Sequence, residues 1–303
     1  MKEETTNYYS LKLFGLDNYF NNFVNLLQKN AFPQVLRIVG EKGYGKFTLV
    51  SHILNYFFSN KNENFYNLNA KEINFDSNLY NQIFSGTFEN IIILNEEHNS
   101  LKIDTLRKLL EKLNKKTTNG QKRYIVIDNA DNLNTNVVNA LLKVIEEPLN
   151  LNHFILIDNK EKKIIETLKS RCLEFKFNIT QVEKKNIVNS LCDYLSINQY
   201  LPFDSNLTPG SYLKFNDICL THSLDTNLNA LEKSIKLLNL YKKDKNKNFI
   251  SLLIFFLSNE LLIKKNISEP LIKFNQIKDL INNFTIYNIN VNSVINQLRT
   301  HLK

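Results

Sequence analysis

The chain has 303 residues, enough for about two domains, and 43% of them are hydrophobic, which supplies full cores and argues against a disordered protein. A net charge of +8, carried almost wholly by lysine, permits a nucleic-acid backbone as partner without demonstrating one. Three separated cysteines (Cys172, Cys192, Cys219) and five scattered histidines argue against a disulfide framework and against a metal site.

In chain order, Met1 and Lys2 are followed by Glu3 and Glu4, acids where the apolar core of a signal peptide would stand, so a cytoplasmic protein is expected. Helical spacing around Leu11 to Gln28 leads to a strand, Val35 to Val39, and a further helix is predicted from Phe47 to Phe58. Ile91 to Leu94 reads as a second strand. The segment Ile103 to Leu113 has apolar residues at helical spacings, and Asn119-Gly120 marks a turn. Tyr124 to Asp128 is a near-continuous apolar strand, the form expected at the buried centre of a parallel sheet.

Asn136 to Glu147 is predicted helical, closed by Pro148, and His153 to Ile157 and Cys172 to Phe177 supply two more strands. Strands alternating with helices imply a parallel α/β sheet covered on both faces. From Thr180 the chain turns helical, with Thr180 and Glu183 spaced as a capping box. Residues 196–211 are polar and carry Pro202, Pro209 and Gly210. The rest is helical and broken by a lysine-rich loop, Lys242 to Lys247. Phe249 to Ile263 is the most apolar run, yet it is interrupted by polar residues and shorter than the roughly 20 apolar residues of a membrane span, so no membrane is expected.

Three of the seven glycines, Gly40, Gly43 and Gly45, lie directly before Lys46, between a strand and a helix. That context builds a phosphate loop: glycines let backbone N–H groups face an anion, the helix N-terminus adds positive potential, and the lysine adds a point charge. The position after the lysine should carry Ser or Thr to hold magnesium. It is Phe47, and Thr48, rotated about 100° further round the helix, does not replace it. Asp128, ending its strand, stands where such proteins place a second magnesium-linked acid, but the next residue is Asn129, an amide that cannot take a proton from water. Lys115, Lys116, Lys122 and Arg123 flank a turn and read as a solvated loop, as do the lysines of 242–247.

Two segments are more specific: Asn139 to Pro148, reading Asn-Ala-Leu-Leu-Lys-Val-Ile-Glu-Glu-Pro, and Ser170-Arg171-Cys172. They resemble the AAA+ clamp-loader family, and within it the δ′-type subunits of bacterial DNA polymerase III. Leu13-Phe14-Gly15 and the segment Lys102 to Leu109 resemble further family motifs, and Asn159 falls near the family's first sensor residue. The likeness covers about residues 11–215. It implies a P-loop AAA+ α/β domain with a parallel sheet (1–178), a small helical lid (179–222) and an all-α collar for oligomerisation (223–303).

The resemblance also implies that Arg171 acts as an arginine finger on a neighbouring subunit's ATP. Arg171 is expected on the domain's nucleotide-facing edge, with Gly40, Gly43, Gly45, Lys46, Thr48, Asp128 and Asn159 forming a degenerate nucleotide site. Three departures from the family stand out: Phe47, Asn129, and Ser211 where many members carry a phosphate-sensing arginine. The family's four-cysteine zinc module is also missing. Together they imply a non-catalytic subunit that requires no cofactor, compatible with weak ATP or ADP binding. The partners implied are clamp-loader ATPase subunits, a δ-like subunit, a sliding clamp and primed DNA. An active AAA+ motor subunit and a basic nucleic-acid-binding adaptor stay open as alternatives.

Overall fold

In the computed structural model, the described residues are 10–59, 66–95, 109–110, 112–113, 117–146, 151–204, 206–263 and 270–302. The chain divides into two compact units, Met1–Tyr194 with Ser205–Gly210, and Leu195–Asp204 with Ser211–Lys303.

The first unit contains α1 (Asp17–Gln28), β1 (Val35–Val39), α2 (Lys46–Phe58), α3 (Asn78–Phe84), β2 (Ile91–Leu94) and β3 (Arg123–Ile127). A single 3₁₀ turn at Ala130–Asn132 follows, then α4 (Thr135–Glu146), β4 (Asn152–Asp158), α5 (Glu166–Lys169), β5 (Leu173–Lys176) and α6 (Gln181–Leu195). The five strands are all parallel, in the order β2-β3-β4-β1-β5. The centre is therefore β4, buried along all seven residues, and the Tyr124 strand lies one place toward the edge.

Side chains alternate across the sheet because strand residues point to opposite faces with period two. Leu36, Ile38, Tyr124, Val126, Ile155 and Ile157 pack on one side with Phe20, Phe23, Leu49 and Ile53 from α1 and α2. Val35, Ile125, Ile127, Phe154 and Leu156 pack on the other with Val137, Leu141 and Ile145 of α4 and Leu168 of α5. Buried charges break the pattern. Arg37, in β1, is buried, and its Nε donates to Asp158 at 3.0 Å and its Nη1 to Glu174 at 2.9 Å, tying β1 to both neighbours.

Arg123 departs from the solvated-loop expectation. It opens β3, is buried, and donates from Nε to the Glu89 carbonyl at 3.1 Å and from Nη1 to the Lys112 carbonyl at 3.2 Å. A guanidinium carries enough donors to satisfy two carbonyls at a strand end, which a charge count along the sequence does not reveal. Of the periodic segment before the turn, Leu109, Leu110, Lys112 and Leu113 are helical, and Leu109 and Leu113 join the α4-side core. The motif portion Lys102 to Lys108, together with Lys115, Lys116, Glu147 and Pro148, lies outside the described residues.

The second unit is helical: α7 (Pro209–Thr221), whose first two residues belong to the first unit, α8 (Ala230–Asp244), α9 (Lys247–Ile263), α10 (Pro270–Tyr287) and α11 (Val291–His301). Helix α9 packs on α8 and α10, and α11 packs on α10 and α8, so these four close into a bundle. The packing faces follow helical periodicity: Val291, Val294, Ile295 and Leu298 in α11, and Ile277, Ile281 and Phe284 in α10, are buried. Asn229 and Asn290 cap α8 and α11 by accepting from Glu232 N and Asn292 N, each at 2.9 Å.

The expected Lys242–Lys247 loop is mostly helix. Helix α8 runs through Lys242, Lys243 and Asp244, and only Lys245, at φ 54°, and Asn246 connect it to α9. Lysines at a helix C-terminus complement its dipole, so a basic run does not by itself end a helix. Helix α9 buries Phe249, Leu252, Leu253, Leu257 and Leu261 and leaves Ser251 exposed.

Candidate functional site: a phosphate loop and a distant arginine

Adjacent strands β3, β4 and β1 deliver their C-terminal ends to one edge of the sheet, the edge where open parallel sheets place ligands. From β1 the chain enters the loop Gly40 to Gly45 and then α2. Gly43 and Gly45 adopt φ 89° and 83°, the left-handed region that glycine reaches without strain. Gly40 is required for a different reason: a Cβ there would stand 2.8 Å from the Phe177 carbonyl. A later segment of the same unit seals the loop's crest. Gly210 N donates to the Gly43 carbonyl at 2.9 Å, and a Cβ on Gly210 would meet the Gly43 Cα at 2.9 Å.

Lys46 opens α2 and is buried. Its Nζ donates to the carbonyls of Gly40 at 2.5 Å and Glu41 at 2.7 Å, inside its own loop. Burial lowers its pKa to about 8, opposed by the nearby charges of Asp128, Asp131 and Asp158. Phe47 is half-buried and packs into the α1–α2 core, beside Val50, Leu54, Ile83, Ile91 and Val126. The position after the lysine has become part of the hydrophobic core. Thr48 is half-buried on the next step of the helix.

Asp128 follows β3, and burial raises its pKa, opposed by hydrogen bonds from Asn129 and Asn159 and by the Lys46 charge. Its Oδ1 accepts from Asn129 N at 2.8 Å and from Asn159 Nδ2 at 3.4 Å. Asn159 Nδ2 also donates to Asn129 Oδ1 at 2.9 Å, with Asn129 held at φ 54°. The structure thus brings Asp128, Asn129 and Asn159 together, and two acids that sequence reasoning missed organise them. Asp131, buried in the 3₁₀ turn, accepts from the backbone N–H groups of Asn159 at 3.1 Å, Glu161 at 2.7 Å and Lys162 at 3.2 Å. Asp158 accepts from Arg37 and, through its carbonyl, from Gly40 N at 3.1 Å. Only their place after apolar strands marked these acids in the sequence.

Arg171 is elsewhere, and this corrects the expected nucleotide-facing placement. It precedes β5, whose Leu173 aligns with Leu36 and whose Lys176 aligns with Val39, so it sits at the amino-terminal edge of a parallel sheet. About 13 Å of strand, four steps at roughly 3.3 Å, separates Leu173 from the level of the phosphate loop. The parallel sheet expected from the sequence already puts a residue that precedes a strand at the amino edge; what the sequence did not show was its pairing with Glu146.

At that edge the guanidinium meets the end of α4. Nη2 pairs with Glu146 Oε1 at 2.6 Å, and Nη1 donates to the Thr167 carbonyl at 2.9 Å and Ser170 Oγ at 3.4 Å. The Arg171 and Glu146 side chains are 37% and 48% exposed, so the pair is open to an incoming ligand. Ser211 is the third residue of α7, in the second unit.

A strand, a glycine loop and a helix, with an acid directly after the third strand, define an α/β protein of the P-loop type. A DNA polymerase III gamma subunit-related protein from Thermotoga maritima shares this fold, with a TM-score of 0.52 at 14% identity over 93% of this chain and 98% of that one. The family described as DNA polymerase III, delta subunit matches residues 15–181, more than half of the chain, and the chain belongs to that family. It is 28% identical over 254 residues to the DNA polymerase III subunit δ′ of Buchnera aphidicola (Schizaphis graminum), covering 82% of this chain and 70% of that protein. It is 25% identical over 157 residues to the δ′ subunit of Bacillus subtilis, covering 52% of this chain and 46% of that one.

Among the described residues, no helix is long and apolar enough to cross a membrane.

Proposed function

We propose that this chain is a δ′-like subunit of a DNA polymerase III clamp loader, that it does not hydrolyse ATP, and that Arg171 serves ATP bound by a neighbouring subunit. The observation that carries this reading is the separation of the two halves of an ATPase site. Arg171 stands exposed at the amino edge of the sheet, while the chain's own phosphate loop lies at the carboxyl edge. An arginine so placed is of no use to its own loop. A guanidinium suits work in trans, because it stays charged and meets phosphoryl oxygens with a planar fork.

The loop itself does not fit a magnesium nucleotide. Phosphoryl transfer needs a metal bridging the phosphates and a group positioning water. Phe47 is committed to the core, Asn129 is an amide, the Lys46 ammonium is bonded to loop carbonyls, and Gly210 is seated on Gly43. No cofactor is needed for the proposed role, and binding of ATP or ADP through Gly43, Gly45 and Lys46 would be weak and independent of magnesium. The partners of this reading are the ATPase and δ-like subunits of a hetero-oligomeric ring, with the sliding clamp and primed DNA reached through that assembly. The domain reading places the oligomer contacts in residues 223–303.

The test is the ATPase of a reconstituted complex built with wild-type, Arg171→Ala or Arg171→Lys chain. Arginine fingers are worth about 10³–10⁵ in rate at the site they serve, so alanine should sharply lower clamp- and DNA-stimulated turnover, and lysine should rescue it poorly. Assembly on gel filtration should be unchanged. Wild-type turnover from an assembled Arg171→Ala complex would remove the finger, and phosphate release by the isolated chain that Lys46→Ala abolishes would remove the non-catalytic reading.

A further inference from the structure

We infer that Glu146 is an anionic stand-in that parks Arg171 and competes with the neighbour's nucleotide for it; this rests on the trans reading above. Glu146 is a carboxylate in the last described turn of α4, toward the negative end of the helix dipole, where an acid is unfavourable unless a cation answers it. Arg171 answers it at 2.6 Å, while the Thr167 carbonyl and Ser170 Oγ hold the same guanidinium from the other side. Three acceptors from two elements thus fix one rotamer of a long side chain that would otherwise be mobile.

The pair has the strength a gate requires. Both groups are more than one-third exposed, so water and salt screen their attraction, and such pairs are individually weak. A polyphosphate carries several charges and takes the guanidinium bidentately, so it can displace a single carboxylate. Thr167 and Ser170 stay in place during that exchange and keep the arginine close to its parked position. Removing the Glu146 charge therefore leaves Arg171 near the same place but without a competing anion.

The reconstituted complex tests this with ATP as the probe, using Glu146→Gln, Glu146→Asp, Arg171→Ala and the Glu146→Gln/Arg171→Ala double variant. Glu146→Gln should lower the KM for ATP by about two- to fivefold, the range set by the weakness of an exposed ion pair, and shift kcat less than KM. Glu146→Asp, which keeps the charge, should return KM toward wild type. In the Arg171→Ala background Glu146→Gln should leave KM unmoved.

An independent readout uses the isolated chain, which has only five arginines to assign. There Glu146→Gln should increase the mobility of the Arg171 Nε–H by NMR relaxation. An unchanged or raised KM in Glu146→Gln, where Arg171→Ala is defective, overturns the parking role and leaves the finger standing. A KM effect that persists without Arg171 also overturns it. Wild-type turnover in Arg171→Ala removes the finger and the parking role with it.

Discussion

Replacing Arg37 by methionine should destabilise the α/β unit by about 3–5 kcal/mol, the cost of breaking a buried pair by removing one partner. The estimate follows from burial. The Arg37 and Asp158 side chains are 7% and 5% exposed at 3.0 Å, so the variant would leave the Asp158 carboxylate in the interior without its ion-pair partner, answered only by the Lys160 N–H, at 2.9 Å, and the more distant Lys46. The second arm, to Glu174, adds little because that carboxylate is 30% exposed and screened. Methionine keeps most of the buried stem, so the loss is mainly electrostatic. Adding Asp158→Asn removes the stranded charge and should recover about 1–3 kcal/mol.

Amide hydrogen exchange of β1 and β4 in the full chain is the suitable assay, since two compact units make a single unfolding midpoint ambiguous. A loss below about 1 kcal/mol in Arg37→Met, or a double variant less stable than the single one, would refute the reasoning that the pair spans a dry interior. The consequence reaches the phosphate loop, because Asp158 also accepts from Gly40 N through its carbonyl.

His52 should make stability fall in acid. It is fully buried in α2, bonded to the Tyr66 hydroxyl and the Ser10 carbonyl at 2.9 Å each, and burial lowers its pKa from 6.5 to about 4. The unfolded chain therefore binds a proton that the folded chain refuses, so stability is full above pH 6.5 and falls by about 3 kcal/mol as pH drops toward 4. An NMR titration that places His52 near 6.5, or an unchanged pH slope in His52→Gln, would contradict this. Gly210→Ala should speed amide exchange in Gly43 to Lys46, because the new Cβ meets Gly43 backbone at 2.9 Å and that backbone must shift; unchanged exchange would show the contact to be loose. Thr180→Ala should cost about 0.5–2 kcal/mol, read by amide hydrogen exchange in α6, since Thr180 Oγ1 accepts from Glu183 N at 3.3 Å and Glu183 accepts in return from Thr180 N at 2.7 Å; unchanged exchange there would contradict it.

The sequence by itself determined most local elements whose signal is carried by neighbours a few residues apart, though not α3 or the helical turn through Lys242 and Lys243. The strand before Gly40, the left-handed glycines, the apolar strand ending in Asp128 and the Thr180 capping box are all of this kind, because periodicity, glycine freedom and capping act over less than two helical turns. It also exposed Phe47 and Asn129, since a side chain either has a metal-binding oxygen or does not. Tertiary structure alone decided which strand is central, since order in a parallel sheet depends on crossovers that leave no local trace. It decided that Arg123 is buried, that Arg37 joins three strands, and that Asp131 and Asp158 organise the site. Above all it put Arg171 at the amino edge beside Glu146. The two are 25 positions apart and meet only because α4 runs back against the strands, ending where β5 begins.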